Sequence, residues 1–351
     1  MNTPNKYGYR FSFGPWNIHE GADPFGPPVR PPVPFESKLE AYKRLGYDAV
    51  QFHDDDAVPN LDGKSPQQIE QEARVMAQKL HDLGLAAEFV APRLWEHPLT
   101  IDGAYTANDP QARAYARDRS RKALDIAQAL GTDLIILWLA REGTYMREAK
   151  DAVQAVDRLV EAIDDMLAYA PTLRIAVEPK PNEPMDLAYI PTIGHAVALG
   201  YKTRDPQRVG VLVESAHAIL AGLDPADEMA FGLAYDKLWS VHLNDQNGLK
   251  YDQDRAFGMV NLRRAFDQVL VLDDNRFYER GIVGMDVKTV RTQKADAAEK
   301  HLAHSMQVFL WLVERARSLD RAALRQCREA RDYEALDRLI VGHLMGHRPV
   351  E

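Results

Sequence analysis

Hydrophobic positions in this chain follow two patterns that take turns. Short continuous apolar runs predict buried strands, and longer stretches with apolar residues every three or four positions predict amphipathic helices. Strands are expected at 9–13, 49–52, 86–90, 134–137, 174–178, 209–213, 238–243 and 281–286. Helices are expected at 35–45, 65–83, 110–130, 149–169, 192–199, 225–235, 261–271 and 295–317, with more helix in the tail at 319–344. The helix boundaries carry local signals. Ser65-Pro66 and Asp109-Pro110 open two of them, and Gly46, Gly84 and Gly131 follow the ends of three. Eight strand–helix units in succession predict parallel pairing and a closed (β/α)₈ TIM barrel over residues 1–317. A helical tail, 318–351, is expected to pack on a neighbouring subunit. No Gly-x-Gly-x-x-Gly follows the first strand, which leaves a dinucleotide-binding sheet without support.

A barrel collects its chemistry at the C-terminal ends of its strands. The fifth strand ends in Glu178-Pro179-Lys180-Pro181, and the two-residue spacing turns Glu178 and Lys180 to one face of an extended chain. Taken alone, this stretch fits a strand entering a charged surface loop equally well. The other strand ends add His53 and Asp56, Trp138, Glu214 and His217, His242, Asp252 and Asp254 in the following loop, and Asp286. So many carboxylates share a small space only when cations neutralise them or some are protonated. Carboxylates with two histidines suit Mg²⁺, Mn²⁺ or Co²⁺ better than a structural zinc site. Glu214-x-x-His217 and Asp252-x-Asp254 are each weak signals, since such spacings also occur on solvated faces.

Composition narrows the partners. The 351 residues are 46% hydrophobic and 27% charged, enough for a large core. A net charge of -9 without a long basic run argues against nucleic acid or an anionic membrane. The single cysteine, Cys327, excludes an intrachain disulfide. The polar N-terminus lacks the apolar core of a signal peptide, and a cytoplasmic protein is expected. The long Pro- and Gly-rich segment 21–34, with Phe25 at its tip, reads as either functional or disordered.

Together the motifs resemble the D-xylose (glucose) isomerases. The resemblance is carried by Val177-Glu178-Pro179-Lys180-Pro181-Asn182-Glu183-Pro184, Phe52-His53-Asp54-Asp55-Asp56, His97-Pro98 with 102–109, Trp138-x-x-Arg141-Glu142-Gly143, 250–254, and Asp286-x-Lys288-x-x-Arg291-Thr292. It implies an aldose–ketose isomerase that works by a 1,2-hydride shift assisted by two divalent ions per subunit (Mg²⁺, Mn²⁺ or Co²⁺). It also implies roles for single residues. His53 handles the ring oxygen or O1, with Asp56 fixing its tautomer, and Lys180 polarises O1. Glu178, Glu214 and Asp286 hold the first ion, while His217, Asp252 and Asp254 hold the second, bridged by Glu214. Trp16, Trp95 and Trp138 wall the pocket, and Phe25 reaches a neighbouring subunit's pocket in a homo-oligomer, dimer or tetramer.

The chain departs from the family pattern at several places. His242 stands where the family has an aspartate ligand to the first ion, which favours Mn²⁺, Co²⁺ or Zn²⁺ over Mg²⁺. Other isomerases and epimerases of this barrel superfamily, including the L-rhamnose isomerases, use histidine there. Trp95 replaces a phenylalanine, Ala91 a pocket threonine, and Leu212-Val213 an Asn-Pro pair; the tail is shorter than the family's subunit-embracing arm. Two further functions stay open: a metal-dependent epimerase or lyase of the same superfamily, and a non-catalytic sugar-binding barrel. His242 also reads as a buried, backbone-bonded histidine, Arg141 and Glu142 as an ion pair or subunit contact, and Asp54 and Asp55 as solvent-facing or structural.

Overall fold

The computed structural model describes residues 5–347. Eight parallel strands close into a barrel: β1 Phe11–Phe13, β2 Ala49–His53, β3 Ala86–Ala91, β4 Leu134–Trp138, β5 Arg174–Glu178, β6 Val209–Glu214, β7 Leu238–Leu243 and β8 Val283–Met285. Neighbours in sequence are neighbours in space, and β1 closes the ring against β8 through Phe11–Val283, Ser12–Gly284 and Phe13–Met285. The helices that follow are α1 Phe35–Leu45, α2 Pro66–Leu83, α3 Pro110–Leu130, α4 Ala152–Tyr169, α5 Ile193–Lys202, α6 Pro225–Ala234, α7 Leu262–Asp274 and α8 Lys300–Ser318. The expected (β/α)₈ TIM barrel is the observed one.

Local chemistry explains the boundaries. The Asp109 carboxylate caps α3 by accepting from Gln111 N at 2.8 Å, Pro110 occupies its first turn, and Gly131 ends it at φ 80°. Most of the core lies between strands and helices, in side chains such as Phe11, Tyr42, Phe266 and Phe309. A smaller apolar cluster of Phe89, Ala91, Leu134, Ile136, Ala176 and Leu212 occupies the β3–β6 side of the barrel, with Trp16 packed against it.

Three features were not expected, and a fourth concerns a segment whose order the sequence left open. Short helices, Asp54–Ala57 and Ser215–Leu220, follow β2 and β6 directly. Gly143–Thr144 pairs antiparallel with Leu187–Ala188 and ties two rim loops together. The last strand is shorter than expected, and a 3₁₀ turn, Ala295–Ala297, precedes α8. The segment 21–34 is ordered rather than loose: the buried Arg30 guanidinium donates to the carbonyls of His19, Thr289 and Gln293, the last at 2.7 Å.

The tail forms two helices, α9 Arg321–Ala330 and α10 Tyr333–Met345. They pack on the chain's own barrel: Leu324 and Ile340 are buried, Arg263 pairs with Asp337, and His343 meets the Arg315 carbonyl at 2.7 Å. Among the described residues no helix is long and apolar enough to cross a membrane.

Candidate active site

A cavity of about 630 Å³ opens at the C-terminal ends of the strands. On its β5–β8 side, residues far apart in sequence converge because each ends a strand or begins the loop after it. Glu178 and Glu214 are the last residues of β5 and β6; His217 lies in the short helix after β6, and His242 lies within β7. Asp286 follows β8, and the loop after β7 returns Asp252 and Asp254 to the same space.

The donors form three groups with Glu214 common to all: Glu178–Glu214–His242, Glu214–His217–Asp252 and Glu214–Asp254–Asp286. Within each group, one ligand atom per residue lies within 4.8 Å of the others. His242 Nδ1 sits 3.6 Å from Glu178 Oε1, 3.8 Å from Glu214 Oε2 and 3.7 Å from Asp286 Oδ2. These distances are too long for hydrogen bonds. They lie close to the ~3–3.5 Å that separates ligands around one ion with bonds of about 2.1 Å. Both ring nitrogens of His242, Nδ1 of His217 and Oδ1 of Asp252 are buried without a hydrogen-bond partner. Buried polar atoms left open in this way carry a cost that a bound cation would remove. His242 is therefore not a backbone-bonded histidine.

The other oxygens are held in place. Asp286 Oδ1 accepts from Trp16 Nε1 at 2.9 Å and Asn17 Nδ2 at 2.7 Å, which leaves Oδ2 facing His242. Asn244 Nδ2 bridges Glu214 Oε1 at 2.9 Å and Asp254 Oδ1 at 3.0 Å, and its own Oδ1 accepts from Ala216 N at 2.7 Å. Lys180 Nζ pairs with Asp252 Oδ2 at 2.9 Å, and Lys288 Nζ pairs with Asp254 Oδ2. Asp254 adopts φ 45°, a conformation that costs a non-glycine residue and is concentrated at functional sites.

The crowding pushes neighbouring acids apart. Burial, with Asp252 nearby, raises the Glu214 carboxyl to about 7. Burial and Asp252 also raise Asp254 well above the usual carboxylate range. Burial acts to raise Asp252 as well, but Lys180 and His217 outweigh it and hold Asp252 well below that range. For His242, burial favours the neutral ring, yet Glu178, Glu214 and Asp286 raise its pKa well above the ordinary value.

The β1–β4 side is built differently. His53 stacks on Trp16 with ring centroids 4.2 Å apart and meets the edge of Trp95 at 5.1 Å. Trp95 in turn lies against Trp138 at 4.5 Å, and the Lys180 ammonium is 5.3 Å from the Trp138 ring centre. Phe89, Ala91 and Ile136 complete an apolar wall. Asp56 stands behind His53: its Oδ2 accepts from the His53 backbone N–H at 3.0 Å and lies 3.2 Å from Nδ1. Phe25 is 81% exposed and does not line the cavity itself, but meets Tyr251, which does, edge-on at 5.5 Å.

A family model described as a xylose isomerase-like TIM barrel matches residues 39–309. The chain belongs to this family. Of the candidate residues, Trp16 and Phe25 lie outside the matched region. Solved structures also share the fold. A D-psicose 3-epimerase from Clostridium cellulolyticum H10, crystallised with D-tagatose, aligns at 14% identity and TM-score 0.58 over 87% of this chain and 98% of its own. A D-psicose 3-epimerase in the presence of D-fructose aligns at 12% and 0.61 over 87% and 99%. The IOLI protein with a bound zinc atom aligns at 13% and 0.60 over 88% and 99%. At these identities the likeness is one of fold.

Several residues of this xylose isomerase-like barrel escaped the sequence reading. Arg93, in the loop after β3, places Nη2 2.7 Å from His53 Nδ1 and pairs with Asp55 and Asp56. Asn244, which positions two candidate ligands, gave no signal beyond its place just past β7. Glu88 lies below the cavity, accepting from Ser12, from Gln51 at 3.2 Å and from Ser240 at 2.8 Å. Its one visible sign was a lone charge in an apolar strand. Arg141 and Glu142 do not pair with each other. The Glu142 carboxylate accepts from the backbone of 104–106, and Arg141 donates to the Trp95 carbonyl at 3.1 Å. Asp54 is fully buried against Arg119, which makes it structural, not solvent-facing.

Proposed function

We propose that this protein is a metal-dependent aldose–ketose isomerase that converts D-xylose, D-glucose or a related aldose to its ketose by a 1,2-hydride shift. The observation that carries this reading is the convergence of Lys180, His53 and the Glu214-centred donor cluster on one cavity. The partnerless atoms of His217, His242 and Asp252 fit divalent cations, with Glu178, Glu214, His242 and Asp286 holding one and Glu214, His217, Asp252 and Asp254 the other. Mn²⁺ or Co²⁺ suits this set best, with Mg²⁺ a weaker fit and Zn²⁺ possible at the site containing His242. Bound there, such ions supply Lewis-acid polarisation of sugar oxygens.

The chain's own groups do the rest. The Lys180 ammonium, kept charged by Asp252 and Glu183, donates to O1 as charge grows there. As hydrogen moves from C2 to C1 with its electron pair, O1 gains a proton and O2 gives one up. Trp16, Trp95 and Trp138 flank the sugar and keep water from its reacting carbons. Ala91 and Ile136 face its far end. The barrel, 1–317, is the catalytic domain, and the exposed Tyr333, Val341 and Met345 of the tail support packing on a neighbouring subunit. Exposed Phe25 supports the same assembly, as a wall for a second copy's cavity.

A second reading is an epimerase that works by proton removal; His242 in the aspartate position is what favours it. Incubating D-xylose, D-glucose, L-rhamnose and D-ribose with Mn²⁺ or Co²⁺ in D₂O separates the two. The isomerase reading expects a ketose product that keeps its original hydrogen. Deuterium entering at carbon supports the epimerase, and no turnover with any sugar and metal removes both.

A further inference from the structure

We infer that Arg93 fixes His53 as a hydrogen-bond donor at Nε2, so that His53 orients a sugar oxygen but passes it no proton. Two neighbours make opposite demands on His53 Nδ1. Asp56 Oδ2, 3.2 Å away, only accepts and would need a proton on Nδ1. Arg93 Nη2, 2.7 Å away, only donates and needs Nδ1 bare. The guanidinium contact is the shorter, and Asp56 Oδ2 already accepts the His53 backbone N–H at 3.0 Å. Arg93 is also held firmly: its Nε donates to Asp55 Oδ1 at 2.8 Å, Nη2 to Asp56 Oδ1 at 3.3 Å and Nη1 to Glu96 Oε1 at 3.3 Å. The carboxylates thus neutralise Arg93 while it presents an N–H to the imidazole. Trp16 and Trp95 fix the ring plane.

The chemical consequence is specific. With Nδ1 accepting, the ring proton sits on Nε2, which makes no hydrogen bond to the described residues and belongs to a residue lining the cavity. Opening a cyclic sugar breaks the C1–ring oxygen bond, takes a proton from O1 and delivers one to the ring oxygen. A neutral imidazole gives up its Nε2 proton only if Nδ1 regains one at the same time, and a guanidinium does not release its proton. His53 in this state neither takes the first proton nor gives the second. It donates a hydrogen bond, and solvent carries the proton. Arg93 is therefore a positioning residue. Only the identity of the oxygen as a sugar's rests on the isomerase reading.

The test is ¹⁵N NMR of the histidine rings in the full chain at pH ~8, with His53→Asn assigning the signals. The inference expects a pyrrole-type Nε2 and a pyridine-type Nδ1, and Arg93→Met moving the proton to Nδ1, against Asp56. A proton on Nδ1, or on both nitrogens, in the unmodified protein overturns it, and that result needs neither metal, sugar nor variant. Kinetics give a second reading. His53→Gln keeps an N–H donor and should lose less than about tenfold in kcat/KM, the scale of one hydrogen bond. A loss of ~10²–10⁴-fold marks proton transfer and overturns the inference. Absence of turnover in the unmodified protein counts against the isomerase reading and leaves the NMR result to decide the tautomer.

Discussion

The two sides of the cavity mouth solve the burial of charge in opposite ways. On the β1–β4 side the charges around His53 are paired with opposite charges: Arg119 with Asp54, and Arg93 with Asp55 and Asp56. Those charges are settled as the chain folds, while Trp138 Nε1 is buried without a hydrogen-bond partner. On the β5–β8 side the clustered groups are mostly carboxylates, and both ring nitrogens of His242, Nδ1 of His217 and Oδ1 of Asp252 are buried without a hydrogen-bond partner. On the proposed reading, a bound cation completes that side. Satisfied polar networks rigidify a structure, and unsatisfied ones mark where a ligand belongs. The barrel therefore sets an aromatic wall opposite a buried carboxylate–histidine cluster, with Lys180 between them, paired to Asp252 and beside Trp138.

The contrast can be broken from either side. The largest effect is expected at the boundary. Lys180→Ala should lower turnover by ~10²–10³-fold, the scale of one preorganised electrostatic donor, while Mn²⁺ uptake by calorimetry is kept. Unchanged turnover would remove Lys180 from the chemistry. On the cage side, proton competition sets a pH dependence. Glu214 is raised to about 7, so below that pH it is increasingly protonated and a cation must displace the proton. Protons on Asp254 and His242, whose pKa values are also raised, add to the competition, so Mn²⁺ affinity should fall by at least about tenfold per pH unit as pH drops below 7, and a flat profile from pH 5 to 8 would contradict a ligand role for this set. Replacing His242 with Asp adds a negative charge, and should raise Mg²⁺ affinity relative to Co²⁺ by about tenfold in competition titrations. The smallest change is expected on the wall. Ala91→Thr restores a hydroxyl there and should shift the kcat/KM ratio between a 6-deoxy sugar and its hydroxymethyl parent severalfold toward the parent, the ~1 kcal/mol scale of a single pocket contact.

What the sequence made legible follows the same division. Glu178, Glu214 and Asp286 end or follow buried strands and His242 lies one residue from the end of another, so titratable residues at the ends of apolar runs were enough to place these four on the cavity. Local capping signals likewise gave α3 both its observed ends, Pro110–Leu130, and α1 its C-terminal end at Leu45, before Gly46. The wall was harder to read. Arg93 reaches back 40 positions to His53, and Arg119 reaches 65 to Asp54; no periodicity reports a pairing across such distances. Glu88 was visible as an oddity, but its partners Ser12, Gln51 and Ser240 come from three other strands. Asp54 and Asp55 differ in fate although adjacent, because the helix that starts at Asp54 buries one carboxylate completely and leaves the other half-buried.

The central claim is a pair of cation sites that share one carboxylate. Its most direct test is the Mn²⁺ stoichiometry of the purified protein at pH ~8, measured calorimetrically with the Glu214→Ala variant beside it. The account predicts two ions per chain in the unmodified protein, and loss of both sites in the variant. Two sites that survive without Glu214, or no binding to the unmodified chain, would contradict it.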